Sequence, residues 1–196
     1  MLKRLFDIIF STIGLLILSP VFLIFSILIK LDSKGPIFYL QTRVGKQGKD
    51  FKLFKFRTMR VDSDKKGLLT VGHRDNRITK VGYYLRKYKV DEFPQFLNIL
   101  IGDMSFVGPR PEVRRYVDLY DEHQQKVLDV KPGLTDYASI EYVNENELLK
   151  SAKDPEQLYI NEIMPAKLNI NLRYIANRSF FQDIKILFLT AKAIVS

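Results

Sequence analysis

The chain has no cysteine in its 196 residues, which excludes a disulfide framework and a thiolate metal site and fits a reducing compartment. Acidic residues are scarce in the first half. Residues 1–90 hold 19 Lys and Arg against 6 Asp and Glu, a balance of +13, whereas residues 91–196 hold 12 against 16, a balance of −4. From Ile8 to Ile29 there is no charged residue over 22 positions. A secretory signal fits less well, because its apolar region is shorter and ends in a small-residue cleavage site that this run lacks. No internal repeat, base-stacking motif or helix-turn-helix pattern is evident, so the basic half does not point to nucleic acid.

The uncharged run is the first positive feature. At about 1.5 Å per residue a straight helix of that length crosses a ~30 Å hydrocarbon core. Ser19-Pro20 sits in its middle, where proline removes an amide donor and clashes with the preceding turn. Lys3 and Arg4 precede the run and Lys30 and Lys34 follow it, and basic flanks favour the cytoplasmic side. A kinked re-entrant helix hairpin over residues 1–33 satisfies both flanks; a spanning helix satisfies one, and a buried core helix is the third reading. Residues 34–196 suffice for one compact domain. Attraction to anionic phospholipids, at roughly 1 kcal/mol per basic residue near the surface, accounts for the charge asymmetry.

Beyond Lys34, residues 36–40 and 51–56 read as β-prone pieces joined by a glycine-containing turn at 45–49. The polar stretch Asp62 to Asn76 reads as a loop, either an active-site cover or inert surface. Ile78, Val81, Leu85 and Tyr88 recur at helical spacing. Asp91 is placed to cap a short helix carrying FLNIL, which Gly102 ends. A helical pattern from Glu112 to Leu128 follows the restrained turn at Val107 to Pro111. An irregular strand or loop region runs to about Asn146, and helices are expected at 155–174 and 181–195. In the last of these Phe181, Ile184, Phe188, Ala191 and Val195 share a side, with Lys185 and Lys192 able to snorkel, so membrane-interface contact and core packing both fit.

Chemistry concentrates where Asp91-Glu92 follows Arg86, Lys87 and Lys89, and where Arg110 is held between prolines. Carboxylates beside guanidinium groups stay ionised. With a divalent ion such a pair can meet a phosphoryl group while arginine holds its oxygens. A helix cap plus a surface charge is the structural alternative for the same two residues.

The segment KVDEFPQFLNILIGDMSFVGPRPE, residues 89–112, resembles the signature of the bacterial sugar transferases that are small monotopic phosphoglycosyl transferases. The likeness extends to KRLFDIIFS, the Ser19-Pro20 break, GPIFYLQTRVGKQGKDFKLFKFRTM, VKPGLT and the terminal SFFQDIKILFLTAKAI. It implies an α/β fold, mainly α, with the membrane hairpin and interfacial amphipathic helices around a catalytic domain on the cytoplasmic face of the inner membrane. It implies transfer of a phosphosugar from a UDP-sugar to undecaprenyl phosphate, releasing UMP, with Mg²⁺. Asp91 would be the nucleophile and a metal ligand, and Glu92 its dyad partner. Arg110, Arg86, Arg57 and Lys55 would face phosphate, and Ser19 and Pro20 would form the membrane kink. Downstream glycosyltransferases and a second copy of the chain are further candidate partners. Thr135-Asp136-Tyr137-Ala138-Ser139-Ile140-Glu141-Tyr142 departs from the common Thr-Gly-aromatic-Ala-Gln-Val continuation, which bears on sugar preference. With no multispanning N-terminal segment or fused modifying domain, the expectation is the minimal catalytic form. The reading of another class is a noncatalytic membrane-surface adaptor that binds glycan-assembly partners.

Overall fold

The computed structural model describes residues 1–61, 63 and 76–195; most of the polar stretch 62–76 lies outside them. Helix α1 (Leu2–Asp32) runs unbroken through Pro20. Proline has no amide to give the carbonyl of Leu16 four residues back. The Ser19 hydroxyl donates to that carbonyl at 2.8 Å, which replaces the missing bond. The structure therefore has one long apolar helix here, not two separated arms.

Both ends of α1 are fixed to the same globular body. Near its start, Arg4 donates to the carbonyls of Ile99 and Leu100, and the buried Asp7 accepts from the Ser105 hydroxyl and the Phe106 amide, both at 3.1 Å. At its end Ile29 is buried against Phe56 and Leu85, and Asp32 accepts the Val81 amide at 2.8 Å. The opposite face, including Leu5, Ile9, Ile13, Leu16, Leu23 and Ile27, is exposed. An exposed apolar stripe of this length has no place in water.

Strands β1 (Phe38–Val44) and β2 (Asp50–Phe56) pair antiparallel from Phe38↔Phe56 to Val44↔Asp50. The expected ribbon is present and is not free. Helix α2 (Lys80–Lys87) starts at Thr79, whose hydroxyl accepts the Gly82 amide. It buries Leu85, while Tyr88 is 60 % exposed and lies past the helix end. Helix α3 (Gln95–Ile101) lies on β2: the Asn98 side chain accepts the Phe54 amide at 2.9 Å and donates to the Lys52 carbonyl at 2.7 Å. One amide thus occupies the free edge of the strand, as a neighbouring strand would. Gly102, with φ +98°, ends α3 as expected.

Strand β3 (Ser105–Val107) pairs in parallel with β4 (Gly133–Thr135). Their approach is tight, since a Cβ on Gly133 would lie 2.1 Å from the Gly108 amide nitrogen. Between them the long helix expected at 112–128 is absent. A single turn, α4 (Arg114–Val117), and a 3-10 turn (Gln124–Asp129) stand in its place. Asp121 accepts the Gln124 amide at 2.7 Å, a local bond that competes with helix continuation.

The region to Asn146, expected to be irregular strand or loop, holds β4 and then α5 (Tyr137–Glu141), with α6 (Glu145–Ser151) beginning at its end. Helix α7 (Pro155–Leu158) passes through a π turn into α8 (Met164–Ala176). Helix α9 (Phe180–Val195) packs one side against the domain, as the core-packing reading expects, and leaves apolar side chains exposed on another. Ile186 is buried and Asp183 accepts from Tyr174 and Lys3, whereas Phe181, Ile184 and Phe188 are exposed. Among the described residues the architecture is a mainly helical compact domain with two small two-stranded sheets and one long apolar N-terminal helix.

Candidate active site

The site forms where α2 hands over to α3. Lys89 adopts the left-handed region, φ +57° and ψ 17°, a conformation that costs a non-glycine residue roughly 1 kcal/mol. It turns the chain into a 3-10 turn (Val90–Glu92), which throws Asp91 and Glu92 inward. Asp91 is not the cap of α3. That helix starts four residues later, behind Pro94, with no side-chain cap.

The two adjacent carboxylates have opposite surroundings. Glu92 lies between cations: its two oxygens take both terminal nitrogens of Arg110, and Lys55 of β2 donates to it at 3.1 Å. Burial would push its carboxyl up, but Arg110 and Lys55 outweigh that and hold it well below the usual carboxylate range. The pairing in turn raises Arg110, so both remain charged. Asp91 is 7 % exposed, and among the described residues no hydrogen bond or ion pair reaches its carboxylate. Burial pushes its carboxyl above the ordinary value, against the pull of Lys55. Burial lowers Lys55 itself, with Glu92 opposing.

Asp91 and Glu92 open on a cavity of about 410 Å³ whose wall also includes Lys55, Arg86, Lys87 and Lys89. Arg86 is oriented by donating from Nε to the Thr58 hydroxyl at 2.9 Å. Val143, Asn144, Asn146 and Glu147 also line it. Those four residues carry no local motif; they come from the α5–α6 junction and the start of α6, and only the tertiary fold brings them to this cavity. Lys87 and Lys89 were legible as part of the basic run.

Arg57 departs from the expected group. Its guanidinium donates to the carbonyls of Ser33 and Lys34 at 2.7 and 2.6 Å, and it does not line the cavity. Its geometry is that of a cation on the carbonyls just past the end of α1, where the helix dipole favours positive charge. Lys55, Arg86, Asp91 and Glu92 share the cavity wall, and Arg110 joins them through Glu92.

Among the described residues no cluster of three or more acidic, histidine or cysteine side chains forms a metal cage. Magnesium at phosphate sites is held by one or two carboxylates plus the substrate's own oxygens. A buried carboxylate that has no partner among the described residues and lines a cavity rich in basic groups suits that mode, and Asp91 is that group. A neighbouring cation would also offset the burial that raises it.

A model of the bacterial sugar transferase family matches residues 1–196. The chain is 37 % identical over 198 residues to a UDP-N-acetylgalactosamine-undecaprenyl-phosphate N-acetylgalactosaminephosphotransferase of Aeromonas hydrophila, covering 100 % of this chain and 44 % of that protein. It is 39 % identical over 194 residues to the UDP-glucose:undecaprenyl-phosphate glucose-1-phosphate transferase of Escherichia coli (strain K12), covering 97 % and 39 %. An uncharacterized sugar transferase of Bacillus subtilis (strain 168) is 40 % identical over 195 residues, covering 99 % and 87 %. The chain therefore spans less than half the length of the first two relatives and most of the third.

Proposed function

The chain belongs to the bacterial sugar transferase family, and on that premise we propose that it transfers a sugar phosphate from a UDP-sugar to undecaprenyl phosphate through Asp91. Relatives named for different sugars, N-acetylgalactosamine and glucose, share undecaprenyl phosphate in their names, which supports the common acceptor. The observation that carries the mechanism is the contrast between the two carboxylates: Glu92 is fully engaged by cations, whereas Asp91 has no hydrogen-bond or ion-pair partner among the described residues and lines the cavity.

In the first step an Asp91 oxygen attacks the sugar-bearing phosphorus. The bond from that phosphorus to the bridging oxygen breaks, UMP leaves with the electron pair, and an aspartyl phosphosugar remains. In the second step a phosphate oxygen of the lipid attacks the same phosphorus, the aspartyl bond breaks, and the carboxylate is regenerated with a polyprenyl diphosphate sugar as product. Glu92 keeps Arg110 and Lys55 charged and in place, so preorganised cations meet the diphosphate without reorganising. Arg86 and Lys89 add positive charge on the same wall. Magnesium, held by Asp91 and substrate oxygens, would supply further charge neutralisation on the diphosphate.

We assign residues 1–33 as the membrane element and 34–196 as the catalytic domain. Because both ends of α1 are held by that domain, its exposed apolar side serves as a face embedded from one side of the bilayer, with the Ser19-Pro20 pair at its mid-length. The exposed Phe181 and Phe188 of α9 lie at the interface, and the basic flanks place the domain on the cytoplasmic side of the inner membrane.

The test is nucleotide release. Purified protein in nanodiscs with Mg²⁺, undecaprenyl phosphate and a panel of UDP-sugars should release UMP, and chelation should abolish it. Release of UDP would place cleavage at the glycosidic bond and refute the assignment. Label from the sugar should map to Asp91 when the lipid is withheld; UMP formed only with lipid present, and no labelled protein, would replace the covalent route by direct attack of the lipid phosphate.

A further inference from the structure

In the turn Pro109-Arg110-Pro111 the two prolines have no amide hydrogen, so Arg110 supplies the only backbone donor of the three. That donor goes to a side chain. The Arg110 amide bonds Asp136 Oδ2 at 2.9 Å. The same oxygen accepts Asn171 Nδ2 of α8, also at 2.9 Å, and the other carboxylate oxygen accepts the Ser139 amide at the start of α5. Asp136 is fully buried at 0 % exposure and Asn171 is 4 % exposed. The rest of the turn is held by backbone: Gly108 donates to the Thr135 carbonyl at 3.1 Å, and Gly133 donates to the Pro109 carbonyl at 2.9 Å. These bonds extend the β3–β4 pairing to the residue before Asp136, so the carboxylate takes over where the strands end.

From these contacts we propose that Asp136 is a positioning residue for the transfer reaction, fixing the backbone of Arg110 and, through the guanidinium, the Glu92 side of the site. The inference rests on the reaction proposed above. Three donors converging on one buried carboxylate are more than an α5 cap requires, since a cap needs only the Ser139 amide. Asn171 has a defined part as well. Its Nδ2 fixes the Asp136 carboxylate, and its Oδ1 is buried with no partner, so the amide is held by Asp136 alone among the described residues. Residue 136 thus acts on phosphate geometry from behind the site. Within the departing stretch 136–146, contact with the cavity falls instead to residues 143, 144 and 146.

The test is a double-mutant cycle on the membrane-embedded full chain, with UMP release by the wild type measured alongside; no UMP from the wild type would count against the reaction, independently of Asp136. Asp136→Asn keeps the size and loses acceptor capacity, so Arg110 stays present but displaced. A misplacement near 1 Å costs on the order of a hundredfold in rate. The expected result is a loss of roughly 10- to 100-fold in kcat, with KM for the UDP-sugar within about threefold. In the Arg110→Lys background the same substitution should cost less than about threefold, because residues acting through one another are not additive. A substitution at a distant surface ion pair, Arg115→Ala, should show no such coupling with Asp136→Asn. If Asp136→Asn lowers activity by the same factor with and without Arg110→Lys, or if it folds with unchanged kcat, the positioning role is wrong and the residue is only a cap. Should Asp136→Asn fail to fold, Asn171→Ala decides the matter. It leaves the Ser139 and Arg110 bonds in place and should lower kcat about 3- to 10-fold, again only when Arg110 is present; unchanged kcat in that variant overturns the proposal.

Discussion

Removing the charge of Glu92 and removing that of Asp91 should have opposite effects on stability, although the residues are adjacent. Glu92→Gln leaves Arg110 and Lys55 as buried cations without their shared anion. Breaking a buried pair by deleting one partner costs about 3–5 kcal/mol. The Arg110 side chain is 34 % exposed and that of Lys55 18 %, so water screens part of the cost and the lower end, about 3 kcal/mol, applies. For a chain of this size that lowers Tm by roughly 6–12 °C. Asp91→Asn relieves a carboxylate that burial already disfavours, so Tm should stay level or rise by about 1–3 °C. Turnover should nonetheless fall on the order of a thousandfold or more, because the amide is no nucleophile. Thermal melts of both variants in nanodiscs, each paired with UMP release, make the comparison. An Asp91→Asn protein that melts as low as Glu92→Gln, or a Glu92→Gln protein within about 2 °C of wild type, would refute the division of labour drawn from the ion pairs.

The pH dependence separates the same two groups. Glu92 has a folded-state pKa below its unfolded value, so its stabilisation is complete above the unfolded value of ~4.3 and is lost as the pH falls toward the folded one; the Tm gap between wild type and Glu92→Gln should therefore shrink on acidification below about pH 4. Asp91 has the opposite sign, so it destabilises the fold increasingly as the pH rises through its raised value, and kcat/KM should fall on the acid side at a pH above the ordinary aspartate value of ~3.9. Single cysteines, one added ahead of Met1 and one at Lys34, should label on the same side with an impermeant thiol reagent, and opposite labelling would contradict one-sided embedding. Gly14→Val should loosen α1 from the domain, since a Cβ there would lie 2.4 Å from the Phe96 ring; increased proteolysis between α1 and β1 is the readout, and an unchanged digestion pattern would show that the ring moves aside.

The sequence carried the elements whose determinants are local. The uncharged run, the Gly102 helix end, the ribbon around Gly45 and Gly48, and the terminal helices all follow from hydropathy period or residue-specific backbone preference. The Asp91-Glu92 pair and Arg110 were legible from order and neighbours along the chain. The helix expected at 112–128 had the right period, but the Asp121 side chain competes for the Gln124 amide, a local bond that periodicity does not register.

Tertiary structure decided which carboxylate the cations engage. Asp91 and Glu92 are adjacent acids in the chain, and only the arrival of Arg110, 18 residues on, and Lys55, 37 residues back, distinguishes them. The same holds for Arg57, whose FRTM setting suggested a phosphate ligand until Ser33 and Lys34 claimed its guanidinium. Asp136 is a third case: in the chain it is one residue of a stretch that departs from the family pattern, and its contacts with Arg110 and Asn171 come from partners 26 and 35 residues away. Helix and strand tendencies depend on neighbours a few positions apart. The charge state and orientation of a buried side chain depend on whichever groups the fold brings within about 3 Å, and that proximity is set by packing.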